Sequence, residues 1–172
     1  RVIDPETGED CPPDVQGELL CRSYTTMLGY YQKPEATAET IDADGWLHSG
    51  DLARLRPDGH VVFMGRLKDM LKVGGENVAP AEMEGRLREL EGVIDVAIVG
   101  FPDERLGEVP VAYVLAEAGA ALDPDTLLDD LRGKVASFKL PRHIRVVETL
   151  PMTPTGKIRK VELREQALVD FG

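Results

Sequence analysis

Lys157 ends the run Pro151-Met152-Thr153-Pro154-Thr155-Gly156-Lys157. Two prolines and a glycine keep that run out of helix and strand, so it predicts a restrained loop carrying one cation. A lysine held this way could stabilise phosphate or carboxylate oxygens as negative charge develops on them. The plainer alternative is a surface lysine after a turn glycine. Asp51 stands out second. It follows Gly50 in Trp46-Leu47-His48-Ser49-Gly50-Asp51, at an expected bend that leaves its carboxylate free to accept hydrogen bonds. The common use of such an aspartate is to cap its own turn. Third comes the pair Gly74-Gly75, at the end of a charged stretch that begins at Gly65-Arg66-Leu67-Lys68-Asp69. Glycines there allow positive φ or close approach of a ligand to the backbone, and the charges suit a solvated hinge between two folded halves. A β-hairpin with a Gly-Gly turn would use the same residues.

Several other chemistries are excluded. A Walker A loop ending at Lys157 would need Gly at position 151, which is Pro, and Ser or Thr at 158, which is Ile. No G-x-G-x-x-G, G-x-S-x-G or H-E-x-x-H is present. His48, His60 and His143 do not cluster in sequence, and Cys11 and Cys21 make neither a disulfide framework nor a metal-ligand spacing. No metal site is expected from these residues, and reduced thiols in the cytoplasm are.

The elements that must carry these residues follow from composition and pattern. With 172 residues, 42% of them hydrophobic and 30% charged, the chain can bury a core as one medium or two small domains. No apolar run reaches the roughly 18–20 residues of a transmembrane helix. The net charge of −11 argues against nucleic acid or anionic membranes as partners. Charge is unevenly spread, however: Arg132 to Arg164 holds nine Lys or Arg against Glu148 and Glu162, a balance of +7, which leaves −18 elsewhere. Such a segment could focus a small polyanion or simply be a solvated basic face. The chain opens on Arg1-Val2-Ile3-Asp4, with neither Met nor a signal-like start, and is expected to be a piece of something longer.

Turn signals at Asp4-Pro5, Asp44-Gly45 and Pro57-Asp58-Gly59 mark the first half as β-rich. Strands are expected at Gly17–Arg22, Trp46–Ala53 and His60–Met64, the last two as a hairpin, with one helical turn beginning at Lys33-Pro34. After the glycine pair, Pro80–Glu91 reads as a helix with a stripe of Met83, Leu87 and Leu90, leaving Glu82, Glu84, Arg86 and Arg88 outside it. Strands follow at Val93–Gly100 and Val109–Leu115, with a charged loop over Pro102–Glu108 between them. A helix enters at Asp123-Pro124, with Leu127, Leu128, Leu131 and Val135 as its stripe. A strand at His143–Glu148 and a final helix from about Val161 to Val169 complete a small α+β layer structure.

Read together, the segments Gly17-Glu18-Leu19-Leu20, Leu28-Gly29-Tyr30-Tyr31 with Lys33-Pro34-Glu35-Ala36-Thr37, and Gly45-Trp46-Leu47-His48-Ser49-Gly50-Asp51 resemble the adenylate-forming (AMP-binding) ligase family. Gly65-Arg66-Leu67-Lys68-Asp69, Gly74-Gly75-Glu76-Asn77-Val78-Ala79-Pro80-Ala81-Glu82-Met83-Glu84 and Pro151 to Ile158 complete the set in the family's order. The resemblance covers essentially the whole chain and lies closest to fatty-acyl and medium-chain CoA synthetases. It implies an α+β fold in two parts. Residues 1–67 would be the β-rich end of a large N-terminal domain, with distorted-barrel strands. Residues 68–172 would be a small mobile domain with a central three-stranded sheet, a hairpin and flanking helices.

The same resemblance implies roles. Asp51 would accept from the ribose hydroxyls of ATP or acyl-AMP, with Arg66 a cation near the same nucleotide. Lys68 would be the hinge. Gly74 and Gly75 would line the passage for the pantetheine arm of CoA, Lys139 and Arg142 would meet CoA phosphates, and Lys157 would bridge the carboxylate substrate and the α-phosphate. ATP with Mg²⁺, CoA and a carboxylic acid, a fatty acid by closest resemblance, would be the ligands, held largely by a missing N-terminal part of the same polypeptide; a homodimer is allowed. The family's Ser/Thr/Gly-rich phosphate loop has no match here, so the piece alone is expected to be inactive. Two other readings stay open: an aryl- or amino-acid-activating enzyme that loads a carrier protein, and a binding or regulatory module without nucleotide chemistry.

Overall fold

In the computed structural model, which describes residues 1–172, the chain divides into two units, Arg1–Lys68 and Asp69–Gly172. The first is built on a four-stranded antiparallel sheet of β1 (Val2–Ile3), β2 (Gln16–Cys21), β3 (Leu47–Leu55) and β4 (Val61–Arg66), in that spatial order. β3 and β4 are joined through Pro57-Asp58-Gly59, where Gly59 takes a φ of +84°. Helix α1 (Pro34–Thr40) starts with proline at its first position, where the missing N–H costs nothing. Only Val2, Ile3, Leu20, Leu52 and Ala53 are buried apolar residues in this unit. Tyr24, Leu28 and Tyr31 stand almost wholly exposed, and Val61 and Phe63 more than half exposed.

The second unit is a mixed five-stranded sheet. The hairpin β5 (Leu71–Val73) and β6 (Glu76–Val78) turns on Gly74-Gly75, both with positive φ, and pairs Val73 with Glu76. Helix α2 (Pro80–Arg88) leads into β7 (Val93–Asp103), which pairs antiparallel with β8 (Gly107–Ala116) over nearly their full length. After α3 (Pro124–Leu131), strand β9 (His143–Val147) runs parallel to β8, and α4 (Lys160–Phe171) ends the fold. The three-stranded centre β7-β8-β9 with the hairpin added to β8 is the expected α+β arrangement.

Apolar residues cover both faces of this sheet. Val96, Ile98, Ala112 and Val114 face α2 and α3 through Met83, Leu87, Leu127 and Leu131. Ala97, Val99, Val111 and Tyr113 face α4 through Leu163 and Ala167. The period of two along β7 and β8 thus gives one face to each helical layer. Tyr113 is fully buried, and its hydroxyl donates to Asp170 Oδ2 at 3.0 Å. Burial, then that carboxylate, push its pKa upward.

Three expected boundaries shift. The charged segment Pro102–Glu108 is not an open loop: Pro102 and Asp103 continue β7 and Gly107 and Glu108 begin β8, leaving a tight turn over Glu104–Leu106. Asp103 caps that turn, accepting from the N–H groups of Leu106 at 2.8 Å and Arg105 at 2.9 Å. Helix α2 ends at Arg88, so Leu90 packs from the following turn; Val135 likewise lies beyond α3. Glu84, expected outside the apolar stripe, is 6% exposed and belongs to the interior.

Candidate functional site

Asp51 does not cap a turn of its own. It sits in β3 directly opposite Arg66 of β4, with Arg66 Nε 2.7 Å from Asp51 Oδ1. Two residues expected near one nucleotide are thus cross-strand neighbours, and the carboxylate is still about a quarter exposed. The corner before it is held by Glu18, a buried carboxylate of β2. Its oxygens take the Gly50 N–H at 3.1 Å and lie 2.9 Å from His48 Nδ1. Ser49 Oγ donates to Leu19 O at 2.6 Å and accepts from Asp51 N–H at 3.1 Å. Gly50 takes a φ of +67°, and the ladder shifts register on both sides of this corner. Strand irregularities of this kind re-aim a side chain, here that of Asp51. The sequence pattern does not mark Glu18 and His48 as site residues; the available signal is a glutamate two residues before Leu20, on the face of β2 that Leu20 buries.

Lys157 lies on a closed turn. Thr153 N–H bonds Lys157 O at 2.8 Å, Gly156 N–H bonds Thr153 O at 2.9 Å, and Lys157 N–H bonds Thr153 Oγ1 at 3.0 Å. Met152 and Ile158 bridge across its base. The backbone at Lys157 is fixed while its side chain is exposed.

The surrounding charges change the reading of the basic segment. Arg132 pairs with Asp129, Lys134 with Asp130, Arg145 with Asp170, and Arg159 with Glu162. Lys139 reaches Glu82 at 2.6 Å, Arg142 reaches Asp103 at 3.1 Å, Lys160 reaches Glu84 at 2.7 Å, and Arg164 lies 3.8 Å from Asp69. Eight of the nine cations therefore have acidic neighbours, most brought in from outside the segment. Lys157 is the ninth and has none. The segment is not one converging basic field.

Asp103, the partner of Arg142, has its pKa lowered first by the Leu106 N–H, then by the Arg105 N–H, with Arg142 adding to this. Lys139 and Arg142 are thus both already engaged by carboxylates of the same unit. Gly74 and Gly75 lie at the tip of the β5–β6 hairpin. A Cβ on Gly75 would meet nothing within 4 Å, while one on Gly74 would meet Leu106 Cδ2 at 3.0 Å. Gly75 is therefore demanded by its φ of +89° and not by crowding within the unit. Lys68 is the last residue of the first unit, within a 3-10 turn over Leu67–Asp69.

Residues 82–157 match the family of AMP-binding enzyme C-terminal domains. The chain is 50% identical over 151 residues to a 3-[(3aS,4S,7aS)-7a-methyl-1,5-dioxo-octahydro-1H-inden-4-yl]propanoyl:CoA ligase of Rhodococcus jostii, covering 88% of this chain and 29% of that protein. It is 42% identical over 171 residues to the putative acyl-CoA synthetase YngI of Bacillus subtilis, covering 99% of this chain and 31% of that protein. Among solved structures, ATP-bound MatB from Rhodopseudomonas palustris superposes with a TM-score of 0.91 at 34% identity, over all of this chain and 34% of that one. The chain belongs to the adenylate-forming, AMP-binding enzymes, and what it carries includes their C-terminal domain. It spans about three tenths of the length of the curated relatives it matches.

Proposed function

We propose that the full-length polypeptide carrying this chain is an acid–thiol ligase that makes acyl-CoA in two steps. A carboxylate attacks the α-phosphorus of ATP, giving acyl-AMP and releasing pyrophosphate. The thiol of CoA then attacks the acyl carbon, forming the thioester and releasing AMP. Mg²⁺ accompanies ATP, and its binding falls to parts of the protein outside this chain. In this reading Asp51 accepts from the ribose hydroxyls, a task its fixed carboxylate suits, with Arg66 beside it. Lys157 meets the oxygens of the carboxylate and α-phosphate as charge shifts between them.

The observation that carries the reading is the isolation of Lys157. Eight neighbouring cations are neutralised within the chain, and this one is presented unpaired on a rigid turn. A cation without an internal partner is available to a ligand's negative charge. Rotation about Lys68 would take Lys157 away after adenylation and bring the Gly74-Gly75 turn to the pantetheine arm, so that one site serves both half-reactions. Lys139 and Arg142 would exchange Glu82 and Asp103 for CoA phosphates at that stage. The acid is proposed to be apolar, a fatty acid or an alicyclic propanoic acid of the kind named for the Rhodococcus relative. Two free cysteines suit a reducing compartment, and the cytoplasm is proposed.

The test is acid-dependent ATP–pyrophosphate exchange by the full-length protein with a panel of fatty, alicyclic and aryl carboxylates, followed by CoA-dependent release of AMP. Exchange with apolar acids and thioester formation are expected. Exchange without any thioester, but with loading of a carrier protein, would move the reading to carrier-loading enzymes. Exchange with no acid at all would overturn it.

A further inference from the structure

Glu84 is a buried carboxylate for which the roles above have no use. One of its oxygens, Oε1, accepts from the Ile98 N–H at 2.8 Å and from Lys160 Nζ at 2.7 Å. Ile98 lies in β7, whose outer edge pairs with no strand. Arg88, one turn after Glu84 on α2, donates to Val96 O on the same edge at 3.1 Å and to Asp95 at 2.6 Å. Side chains of α2 thus satisfy backbone groups that an open edge would leave bare. That structural duty needs an acceptor at position 84, and a neutral one would serve. It does not require a lysine to be drawn in as well.

Lys160 is the first residue of α4 and lies three residues after Lys157. Its side chain is 19% exposed and that of Glu84 is 8% exposed, so the pair is largely withdrawn from water, where charge–charge attraction is screened least. Lys160 Nζ also lies 4.0 Å from Asp69 Oδ2, and Arg164, one turn further along α4, lies 3.8 Å from Asp69 Oδ1. Asp69 is the residue immediately after Lys68. The Lys157 turn is closed at its base by Met152 and Ile158, and the Arg159 N–H bonds Pro151 O at 2.8 Å. Beyond that base, the first side chain on the exit side to be anchored against a buried carboxylate is that of Lys160.

We infer that Glu84, Lys160 and Asp69 are positioning residues for Lys157, tying the turn that carries it to α2, to β7 and to the first residue after the proposed pivot. The inference rests on the role proposed for Lys157. Lys160 does not touch the reacting atoms; it sets where Lys157 stands when the domain swings. Neighbouring cations at 159 and 164 pair with more exposed acids, and only at 160 does a cation enter the interior.

The prediction separates positioning from simple structural support because the Gly74-Gly75 hairpin belongs to the same unit. In the full-length protein, Lys160→Met should lower acid-dependent pyrophosphate exchange by about tenfold or more. A displacement of about 1 Å far from the chemistry can cost on the order of 10²-fold. Thioester formation from supplied acyl-adenylate and CoA should stay at the parent rate. Lys160→Arg, which keeps the cation, should restore exchange to within about threefold. Glu84→Gln keeps an oxygen for the Ile98 N–H but removes the charge that holds Lys160, and should lower the same half-reaction by a smaller factor; it carries the test if Lys160→Met does not accumulate folded. Unchanged exchange in both variants, or a parallel fall of both half-reactions, would overturn the inference. Lys157→Ala run alongside keeps the failures distinct: if it leaves exchange intact, the proposed role of Lys157 is at fault; if it abolishes exchange while Lys160→Met does not, only the positioning claim falls.

Discussion

The two units solve the problem of placing a charge in opposite ways. In Arg1–Lys68 the carboxylate of Asp51 is built into a sheet ladder with a guanidinium already across from it. In Asp69–Gly172 the ammonium of Lys157 rides on a turn, and no acid of that unit pairs with it. Their cores differ in the same sense. The second unit has buried apolar residues on both faces of its sheet, whereas the first has five in all and leaves Tyr24, Leu28, Tyr31 and Phe63 uncovered. Phe63 lies on β4 and the other three in the segment between β2 and α1, and that much exposed apolar surface is more than a small lone unit is expected to show. The second unit is therefore expected to stand alone, and the first to need further protein surface against its exposed side chains.

The bluntest way to break this contrast is to separate the units. Residues 69–172 expressed alone should unfold in a single cooperative transition in urea, followed by circular dichroism. Residues 1–68 alone should show no such transition. A cooperative transition in both would remove the asymmetry.

Asp51→Ala in the full-length protein should act on both half-reactions, since ATP and acyl-AMP carry the same ribose. Hydrogen bonds to a charged group contribute about 1.5–3 kcal/mol each. Losing two of them should reduce kcat/KM for ATP by roughly 10²-fold or more, measured by pyrophosphate exchange. An effect confined to adenylation would make Asp51 and Lys157 alike, against the comparison.

Gly75→Ala sharpens the second unit's side. A side chain at φ of +89° is strained, at a cost of roughly 1–2 kcal/mol, although the added methyl group meets nothing within the chain. A fall in thermal stability of that order is expected. If the turn guides pantetheine, CoA-dependent release of AMP should also slow while exchange persists.

The smallest effect concerns α3. Asp123 caps this helix, its Oδ2 accepting from Thr126 Oγ1 at 2.7 Å and Thr126 N at 3.0 Å. These bonds, the hydroxyl's first, lower its pKa. A carboxyl with a lowered folded-state pKa adds stability that is present above its unfolded pKa and lost as pH falls through the folded one. Stability of the second unit should therefore decline through the acid end of the carboxylate range. Asp123→Asn, which retains a capping oxygen, should flatten that part of the profile, as read by urea midpoints between pH 2 and 5.

Much of this architecture was legible from pattern. Pro80, Met83 and Leu87 announced α2, and the Pro-Asp-Gly turn announced the β3–β4 hairpin, because both signals are local. What escaped depended on partners distant in sequence. Glu84 lies one residue from Met83 and reads as a surface position until β7 and Lys160 close over it. Pro102 and the charges at 103–108 look like a loop. Pro102, however, lies on an edge strand, where a missing N–H is tolerated. Pro110 fits within β8 because its carbonyl accepts from Arg142 N–H on the β9 side, so the ladder to β7 loses no bond. The basic segment, open in sequence to a polyanion focus or a solvated face, is decided partly by distant partners: Glu82, Glu84, Asp69 and Asp103 stand far upstream, while Asp129, Asp130 and Glu162 lie within four residues of the cations they meet. Composition could count the charges but not pair the distant ones, and within the basic segment the pairing leaves Lys157 without an acidic partner.

The role proposed for Lys157 stands or falls on Lys157→Ala in the full-length protein, with the two half-reactions assayed separately. Acid-dependent pyrophosphate exchange should fall by roughly 10²-fold or more, the scale of losing one transition-state charge stabiliser. CoA should still convert supplied acyl-adenylate to thioester at the parent rate. Equal loss in both half-reactions, or in neither, would contradict the account.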